Sequence, residues 1–439
     1  MATTATTTFT SNAAPLGSHG RRIDDEPTLL IKALLVTLPI TSFLAIPFIQ
    51  GSTPANLLAL LALFPLTGLL LLPQQGYGDL MRRLALWLGV IVILFLLSRL
   101  NHINGLVQGM DKLYNINERT ALPYVPISNL TQTLYLITGL VVFKLTATLY
   151  RVSWDRWILA GAWFLVLYGF IDWGAESFAG LNVDFLSNRS FKESEMFETP
   201  GSLRQHLPVM GWQMMRFKSV TGEASMYAIT ALPYLYLAIV RGRRALAGLL
   251  VLSLLLTLST VAYLGLIGLL AFLAFRVKLP LKPGHYLLLL LGLCAVVVLT
   301  FFNFEGLFNI IERTFVAKLS GADESGAARG SYFRSNINFW MAPSTSWMVK
   351  LFGLGFGTIR STDLFSTLLI NVGLLGCLLV AAWFIWMFGR AWAAGKRLGA
   401  AVFGTIFLLM LAAVPEFAYL PPWLLVGLLQ SPAFKESTG

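Results

Sequence analysis

The run ALAGLLVLSLLLTLSTVAYLGLIGLLAFLAF, residues 245–275, carries no charged side chain over 31 residues. One membrane helix needs roughly 20 residues, so this run is too long for one crossing of a hydrocarbon core. It also lacks the alternation of apolar and polar residues that a membrane strand would show. The run therefore predicts two short membrane helices that meet near Ser259 and Thr260.

The rest of the chain is similarly apolar. Hydrophobic residues make up 56% of its 439 residues and charged residues only 12%, whereas a soluble domain carries about 25% charged residues. Because a bilayer offers no water to backbone groups, apolar runs in it must be helical. The sequence predicts an all-α polytopic membrane protein of about twelve helices, with 245–275 crossing twice. The apolar runs fall at about 29–49, 54–72, 84–100, 129–149, 157–174, 224–240, 245–275, 285–303, 365–389, 398–414 and 419–430.

The formal net charge is +11, and the turns between the apolar runs explain most of it. If every run crosses the membrane, all the basic turns lie on one side, as the positive-inside rule requires. We therefore attribute the charge to orientation rather than to nucleic acid, and expect both termini in the cytoplasm. The basic turns contain Arg21/Arg22, Arg82/Arg83, Arg151/Arg156, Arg241/Arg243/Arg244, Arg276/Lys278/Lys282, Arg390/Lys396/Arg397 and Lys435.

This topology divides the chain into three parts. Residues 1–28 are Thr/Ala-rich and lack the apolar core of a signal peptide, so we expect a disordered cytoplasmic tail. A transmembrane domain follows over 29–430, and 431–439 form a second cytoplasmic tail. Two outer loops, at about 175–223 and 304–364, are long for a compact membrane protein. Loops of that length are functional or disordered, and their aromatic residues favour order.

Several kinds of chemistry are not favoured. Cys294 and Cys377 both lie within apolar runs, and the four histidines are scattered without metal-ligand spacing, so we expect no disulfide, metal or other cofactor. A proton or ion path would need acidic residues in mid-membrane, and the apolar runs place none there.

The first candidate site is RFKSVTGEAS, residues 216–225, where the first long loop meets a helix. Thr221 and Gly222 are plausible cap residues, which would place Glu223 in the first helical turn. A helix N-terminus stabilises a carboxylate, and such a group could accept a proton from a sugar hydroxyl. The alternative is that Glu223 only completes the helix end and pairs with Arg216; the residues alone leave both open.

The second candidate is GAARGSYFR, residues 326–334, where Arg329 and Arg334 flank Tyr332 and Phe333. Arginine forks match phosphate oxygens, and aromatic faces suit stacking on sugars or lipid. With Arg360, these arginines lie on the side where the positive-inside rule disfavours them. We therefore expect an anionic ligand such as a lipid pyrophosphate headgroup. Surface or ion-paired arginines are the alternative.

The third candidate is LFGLGFG, residues 351–357, followed by Asp363 at a helix start. Its glycines suit tight turns and close helix packing. A phosphate-cradling loop is less favoured, since no Gly-Lys-Ser/Thr follows. Asp363 fits a cap better than an acid–base residue.

In this order, the stretches resemble the Wzy polymerase and O-antigen ligase family of bacterial inner-membrane glycosyltransferases. The resemblance covers roughly residues 215–390 and includes Leu-Thr-Leu-Ser at 256–259 and Gly-x-x-Gly at 373–376. Family ligases carry a histidine at the position that, aligned on Gly373, is Thr362 here. This departure favours a polymerase over a ligase.

The resemblance implies a GT-C-like, metal-independent polysaccharide polymerase at the periplasmic face of the bacterial inner membrane. The donor would be a growing glycan on undecaprenyl pyrophosphate and the acceptor one lipid-linked oligosaccharide repeat unit. Expected protein partners are chain-length regulators and export proteins. A lipid-linked oligosaccharide flippase and an O-antigen ligase remain as alternatives.

The resemblance also implies roles for individual residues. Glu223 would activate the acceptor hydroxyl, while Arg216, Arg329 and Arg334 would hold the pyrophosphate as it leaves. Four further residues are expected to contact the substrate: Lys218, Tyr332, Arg360 and Asp363.

Overall fold

The computed structural model describes most of the chain and shows a mostly helical membrane protein. The described residues are 26–47, 49, 51–64, 76–103, 113, 127–189, 191–192, 198–199, 205–209, 212–276, 324–359, 361–413 and 417–436. Their helices are α1 Leu29–Thr37, α2 Pro54–Leu61, α3 Tyr77–Ile103, α4 Ile127–Leu149, α5 Asp155–Ala179, α6 Ala224–Val240, α7 Arg244–Leu256, α8 Thr260–Arg276, α9 Glu324–Met341, α10 Trp347–Phe352, α11 Leu364–Ala393, α12 Arg397–Ala413 and α13 Leu420–Gln430.

The predicted count of about twelve spans is not found. Among the described residues, four helices are long and apolar enough to cross a membrane, and five shorter apolar helices accompany them. The run at 29–49 yields only the nine-residue α1. Pro39 and Pro47 interrupt this run, and a residue before proline is pushed out of helical geometry. The run at 285–303 lies outside the described residues.

The division of residues 245–275 into two helices is confirmed. Helix α7 ends at Leu256 and α8 begins at Thr260. Between them Leu258 adopts a positive φ of 47°, and the Thr257 hydroxyl donates to the Leu254 carbonyl at 2.7 Å. This helix break leaves backbone carbonyls available to neighbouring segments, and two of them, of Leu256 and Thr257, contact the candidate site described below.

The long loop predicted at 175–223 contains short strands, which the sequence pattern did not indicate. It holds two antiparallel strand pairs, β1 Phe191–Lys192 with β2 Glu198–Thr199, and β3 His206–Val209 with β4 Trp212–Met215. Pro208 lies within β3, opposite Gln213, and proline disfavours a helix interior because it cannot donate a backbone hydrogen bond. Strand pairing satisfies the remaining backbone groups.

Helix α6 forms the centre of the protein. Of its 17 residues, 16 are buried, as expected for a helix that is hydrophobic on all sides. Helices α7, α8, α12 and α13 pack around it. Leucines and isoleucines on α3 and α11 are exposed instead, so these two helices present an apolar surface that suits lipid. The end of the bundle that carries the N-terminus of α6 is the predicted outer face.

Candidate functional site

The segment 216–223, which we call the junction segment, connects β4 to α6 and contacts several distant parts of the chain. The backbone amides of Thr41 and Ser42 donate to the Val220 carbonyl at 3.1 and 3.0 Å. The Phe217 amide donates to the Leu256 carbonyl at 3.1 Å, at the break between α7 and α8. The Ser219 hydroxyl donates to the Leu165 carbonyl of α5 at 2.6 Å. The junction segment is therefore fixed from three sides.

The backbone of the junction segment adopts two left-handed conformations. Ser219 has φ 53° and Gly222 has φ 89°. Glycine adopts such angles without a steric cost, but a serine there costs on the order of 1 kcal/mol. Strained residues of this kind persist only where their surroundings hold them, and they cluster at functional sites.

Glu223 caps α6 with its backbone, in an extended conformation of φ −142° and ψ 150°. The prediction that Thr221 and Gly222 are the cap residues is wrong, because Thr221 instead donates its hydroxyl to the carbonyls of Lys218 and Glu223. The half-buried Glu223 carboxylate accepts a hydrogen bond from the Ser225 hydroxyl at 2.7 Å. None of the ion pairs among the described residues involves Glu223.

Arg216 therefore does not pair with Glu223. Its Nε donates to the Thr257 carbonyl at 3.0 Å, and its Nη1 donates to the side-chain oxygen of Gln205. Thr257 belongs to the break between α7 and α8, so Arg216 supplies a hydrogen-bond donor to a backbone carbonyl at the end of α7. The arginine and the glutamate lie at the two ends of one fixed segment, seven positions apart.

Lys218 is buried, with 1% of its side chain exposed. Its ammonium lies 2.7 Å from an Asp184 carboxylate oxygen and 3.1 Å from one of Asp172. The predicted contact of Lys218 with substrate stays a prediction, but the structure gives the ammonium two carboxylate partners within the protein. The sequence pattern did not predict this cluster. The available signal was Asp172 in an apolar helix, since a charge there needs a partner.

The second candidate stretch lies on α9 rather than in a loop, which corrects the prediction for that part of 304–364. Arg334 is exposed and Tyr332 half-buried. Helix α9 is anchored to α11 by buried Asn336, whose amide donates to the Ser366 hydroxyl at 3.1 Å. The side chain of Arg329, although on the same helix, lies outside the described residues, as does Arg360.

Asp363 is the N-cap of α11, which confirms the preferred interpretation. Its carboxylate accepts hydrogen bonds from the Ser366 amide at 2.6 Å and from the hydroxyls of Ser361 and Ser366 at 2.9 and 2.6 Å. With three donors and 7% exposure, the carboxylate serves the helix end. Its contact with substrate stays a prediction.

The glycine stretch is a packing motif, as predicted. A Cβ on Gly353 would collide with the backbone of Asn371, and a Cβ on Gly355 would collide with the guanidinium of Arg99. Arg99, near the C-terminal end of α3, donates from Nη2 to the Leu354 carbonyl at 2.6 Å. Arg99 is not among the predicted site residues, although it is an arginine at the end of an apolar run.

An apolar groove of about 230 Å³ runs between α3, α4 and α11 and is also lined by Trp423 of α13. Along α3 it extends from Trp87 to Ser98, about 17 Å at the rise of a helix, or more than half of a hydrocarbon core. Its polar lining comes from Ser98 and Thr133 at the outer end, and Trp383 and Trp423 lie deeper. A groove of this length and lining suits a hydrocarbon chain.

No group of three or more His, Cys, Asp or Glu side chains suited to a metal occurs in the part of the chain that the structure describes. A metal-independent reaction stays a prediction. The sequence matches no protein-family model and no curated protein when compared with both.

Proposed function

We propose that this chain is an inner-membrane glycosyltransferase that joins lipid-linked oligosaccharide repeat units into a polysaccharide at the periplasmic face. The observation that carries the proposal is the Glu223 carboxylate at the outer end of the central helix. It is held by Ser225, has no ion pair among the described residues, and lies on the same fixed segment as Arg216. A carboxylate so placed is suited to general-base catalysis.

In the proposed reaction, Glu223 accepts the proton of the acceptor sugar hydroxyl. The hydroxyl oxygen attacks the anomeric carbon of the donor glycan and forms the new glycosidic bond. The bond between that carbon and the pyrophosphate oxygen breaks, and the electron pair leaves with undecaprenyl pyrophosphate. Atoms and charge balance without a metal, an oxidant or a second substrate class.

The proposed role of the arginines is to stabilise the negative charge that develops on the pyrophosphate. Arginine presents a planar fork of donors to phosphate oxygens. One well-placed donor lowers a barrier by about 3 kcal/mol. Arg216 is the candidate on the junction segment, and exposed Arg334 on α9, together with Arg329, is the candidate from the second stretch.

The apolar groove supports a lipid-linked substrate. A polyprenyl chain needs an apolar path at membrane depth, and this groove runs beside the outer ends of α3 and α11. Arg99 lies at the same end, with its guanidinium 5.2 Å from the ring of groove-lining Phe95. The proposed arrangement places hydrocarbon in the groove and the charged headgroup above it.

The test is reconstitution of the purified protein with undecaprenyl-pyrophosphate-linked repeat units. The proposal expects a ladder of longer lipid-linked glycans, which Glu223→Gln forms on the order of 100-fold more slowly. A folded, monodisperse wild-type protein that leaves the repeat units unextended would contradict it. If the same protein moved repeat units across proteoliposome membranes without extending them, the flippase alternative would replace it.

A further inference from the structure

Three charged side chains, two from outside the junction segment and one from within it, form ion pairs with one another. Asp172 belongs to α5, Asp184 to the segment that follows it, and Lys218 to the junction segment; we call them the buried ion cluster. Lys218 is 1% exposed, Asp172 3% and Asp184 2%. The Tyr168 hydroxyl donates to the second Asp184 oxygen at 3.0 Å, which ties the cluster to α5 twice.

Such a cluster is a costly way to stabilise a fold. Removing charges from water costs several kcal/mol per ion, and well-packed apolar side chains of similar volume often serve stability equally well. In a membrane protein, ionisable groups away from water are functional by default. The cluster therefore calls for a role other than stability alone.

Its position supplies that role. Lys218 is two residues from Arg216 and five from Glu223. The strained Ser219 and the positive-φ Gly222 lie between the lysine and the glutamate. A relaxed backbone would avoid φ 53° at Ser219. The ion pairs to Asp172 and Asp184 fix Lys218, which directly precedes the strained Ser219 in the chain. The start of α6 fixes Glu223, which follows it.

We propose that Asp172, Asp184 and Lys218 are positioning residues, which hold the junction segment in the strained conformation that sets the places of Arg216 and Glu223. In this proposal, which replaces the predicted contact of Lys218 with substrate, the three residues act through the segment. This inference rests on the function proposed above for Arg216 and Glu223, but its structural content is independent of that function.

The first test is a double-mutant cycle between Lys218→Met and Glu223→Gln, with Asp184→Asn in place of Lys218→Met as a second cycle. If the cluster positions Glu223, Lys218→Met alone lowers kcat on the order of 100-fold, the cost of misplacing a catalytic group. In that background Glu223→Gln then costs less than about threefold. Full additivity of the two losses would overturn the proposal.

Asp155→Asn is the matched control. It breaks an ion pair with Arg241, whose Nε lies 2.5 Å from Asp155, at the opposite end of the same helix α5. Asp155→Asn and the cluster variants Lys218→Met and Asp184→Asn are all expected to lower the midpoint of thermal unfolding. Only in the cluster variants should the loss of kcat be non-additive with that of Glu223→Gln. Equal coupling in the control would mean that loss of stability explains the effect.

A second measurement separates this inference from the proposed function. Glu223→Cys, in a protein whose Cys294 and Cys377 are replaced by serine, reports the accessibility of position 223 to a membrane-impermeant maleimide. Lys218→Met and Asp184→Asn are expected to change the labelling rate at least about fivefold, and Asp155→Asn to leave it unchanged. Unchanged rates in the cluster variants would refute positioning, whether or not the wild-type protein polymerises glycans.

Discussion

The guanidinium of Arg99 lies in the space where a side chain on Gly355 would begin. Its Nη2 donates to the neighbouring Leu354 carbonyl, and Gly355 itself has φ 111°. The C-terminal end of α3 and the glycine stretch before α11 are therefore in close contact.

Gly355→Ala should accordingly be destabilising. The methyl group would displace Arg99 and force alanine into a left-handed conformation, so we expect a loss of about 3 kcal/mol or more of unfolding free energy. Thermal unfolding of the detergent-solubilised protein measures it. Gly389→Ala is the control, because a Cβ at Gly389 meets no neighbour and alanine favours the helix by about 1 kcal/mol. Equal midpoints for the two variants would contradict the packing role.

Loss of the exposed Arg334 guanidinium should slow elongation without lowering the amount of folded protein in the membrane. We expect Arg334→Ala to lower kcat/KM for lipid-linked repeats by 100-fold or more, since one donor to a developing charge contributes about 3 kcal/mol. Arg329→Ala should behave alike. Arg397→Ala, at an exposed position at the predicted inner face, is the control and should leave elongation unchanged. Full activity in Glu223→Gln and both outer variants would show that the site lies elsewhere.

Filling the groove should interfere with substrate lipid. Leu136 lines the groove from α4, and Leu136→Trp would occupy part of its 230 Å³. We expect a higher KM for a full-length polyprenyl substrate and a much smaller rise for a short-chain analogue. Leu378→Trp is the control, because Leu378 on α11 is 58% exposed on the apolar surface. If the two tryptophan variants gave the same KM, the groove would have no role in binding.

Lys396 should make stability depend on pH. It lies between α11 and α12 and donates from Nζ to the carbonyls of Leu429 and Ser431 at the end of α13, at 2.8 and 2.6 Å. Burial lowers its pKa to about 8, with a partial offset from the carboxylate of Glu436. The pKa in the unfolded chain is about 10.4, so between these values the unfolded state binds more protons.

Stability therefore rises as pH increases from about 8 towards 10. The expected result is a higher thermal midpoint at pH 9.5 than at pH 7.5 for wild type, and a smaller rise in Lys396→Met. A midpoint that falls over this range in wild type alone would show that the ammonium form is the one the fold prefers.

The parts of the fold that follow from local patterns could be predicted. The run 245–275 is too long for one helix, and it divides where Thr257 and Leu258 break the backbone ladder. The cap at Asp363 and the close packing at Gly353 and Gly355 also follow from residue type and spacing. In each case the decisive interactions lie within a few residues, or require only the absence of a side chain.

Features that depend on distant residues could not be predicted. The partners of Lys218 lie 34 and 46 positions away, and nothing in their spacing indicates that they meet. The strand pairs in the loop at 175–223 were missed because hydropathy dominates the signal in a membrane protein. For α1 the prediction failed on local grounds, since Pro39 and Pro47 outweigh an apolar run.

Helix α6, which carries the proposed base at its N-terminus, is shielded from lipid by the helices around it. Helices that face lipid tilt or bend to match the thickness of the bilayer around them. With 16 of its 17 residues buried, α6 has almost no surface on which lipid could act. The position of Glu223 is therefore set by the protein that surrounds α6, and a change in bilayer thickness would act on it only through the surrounding helices.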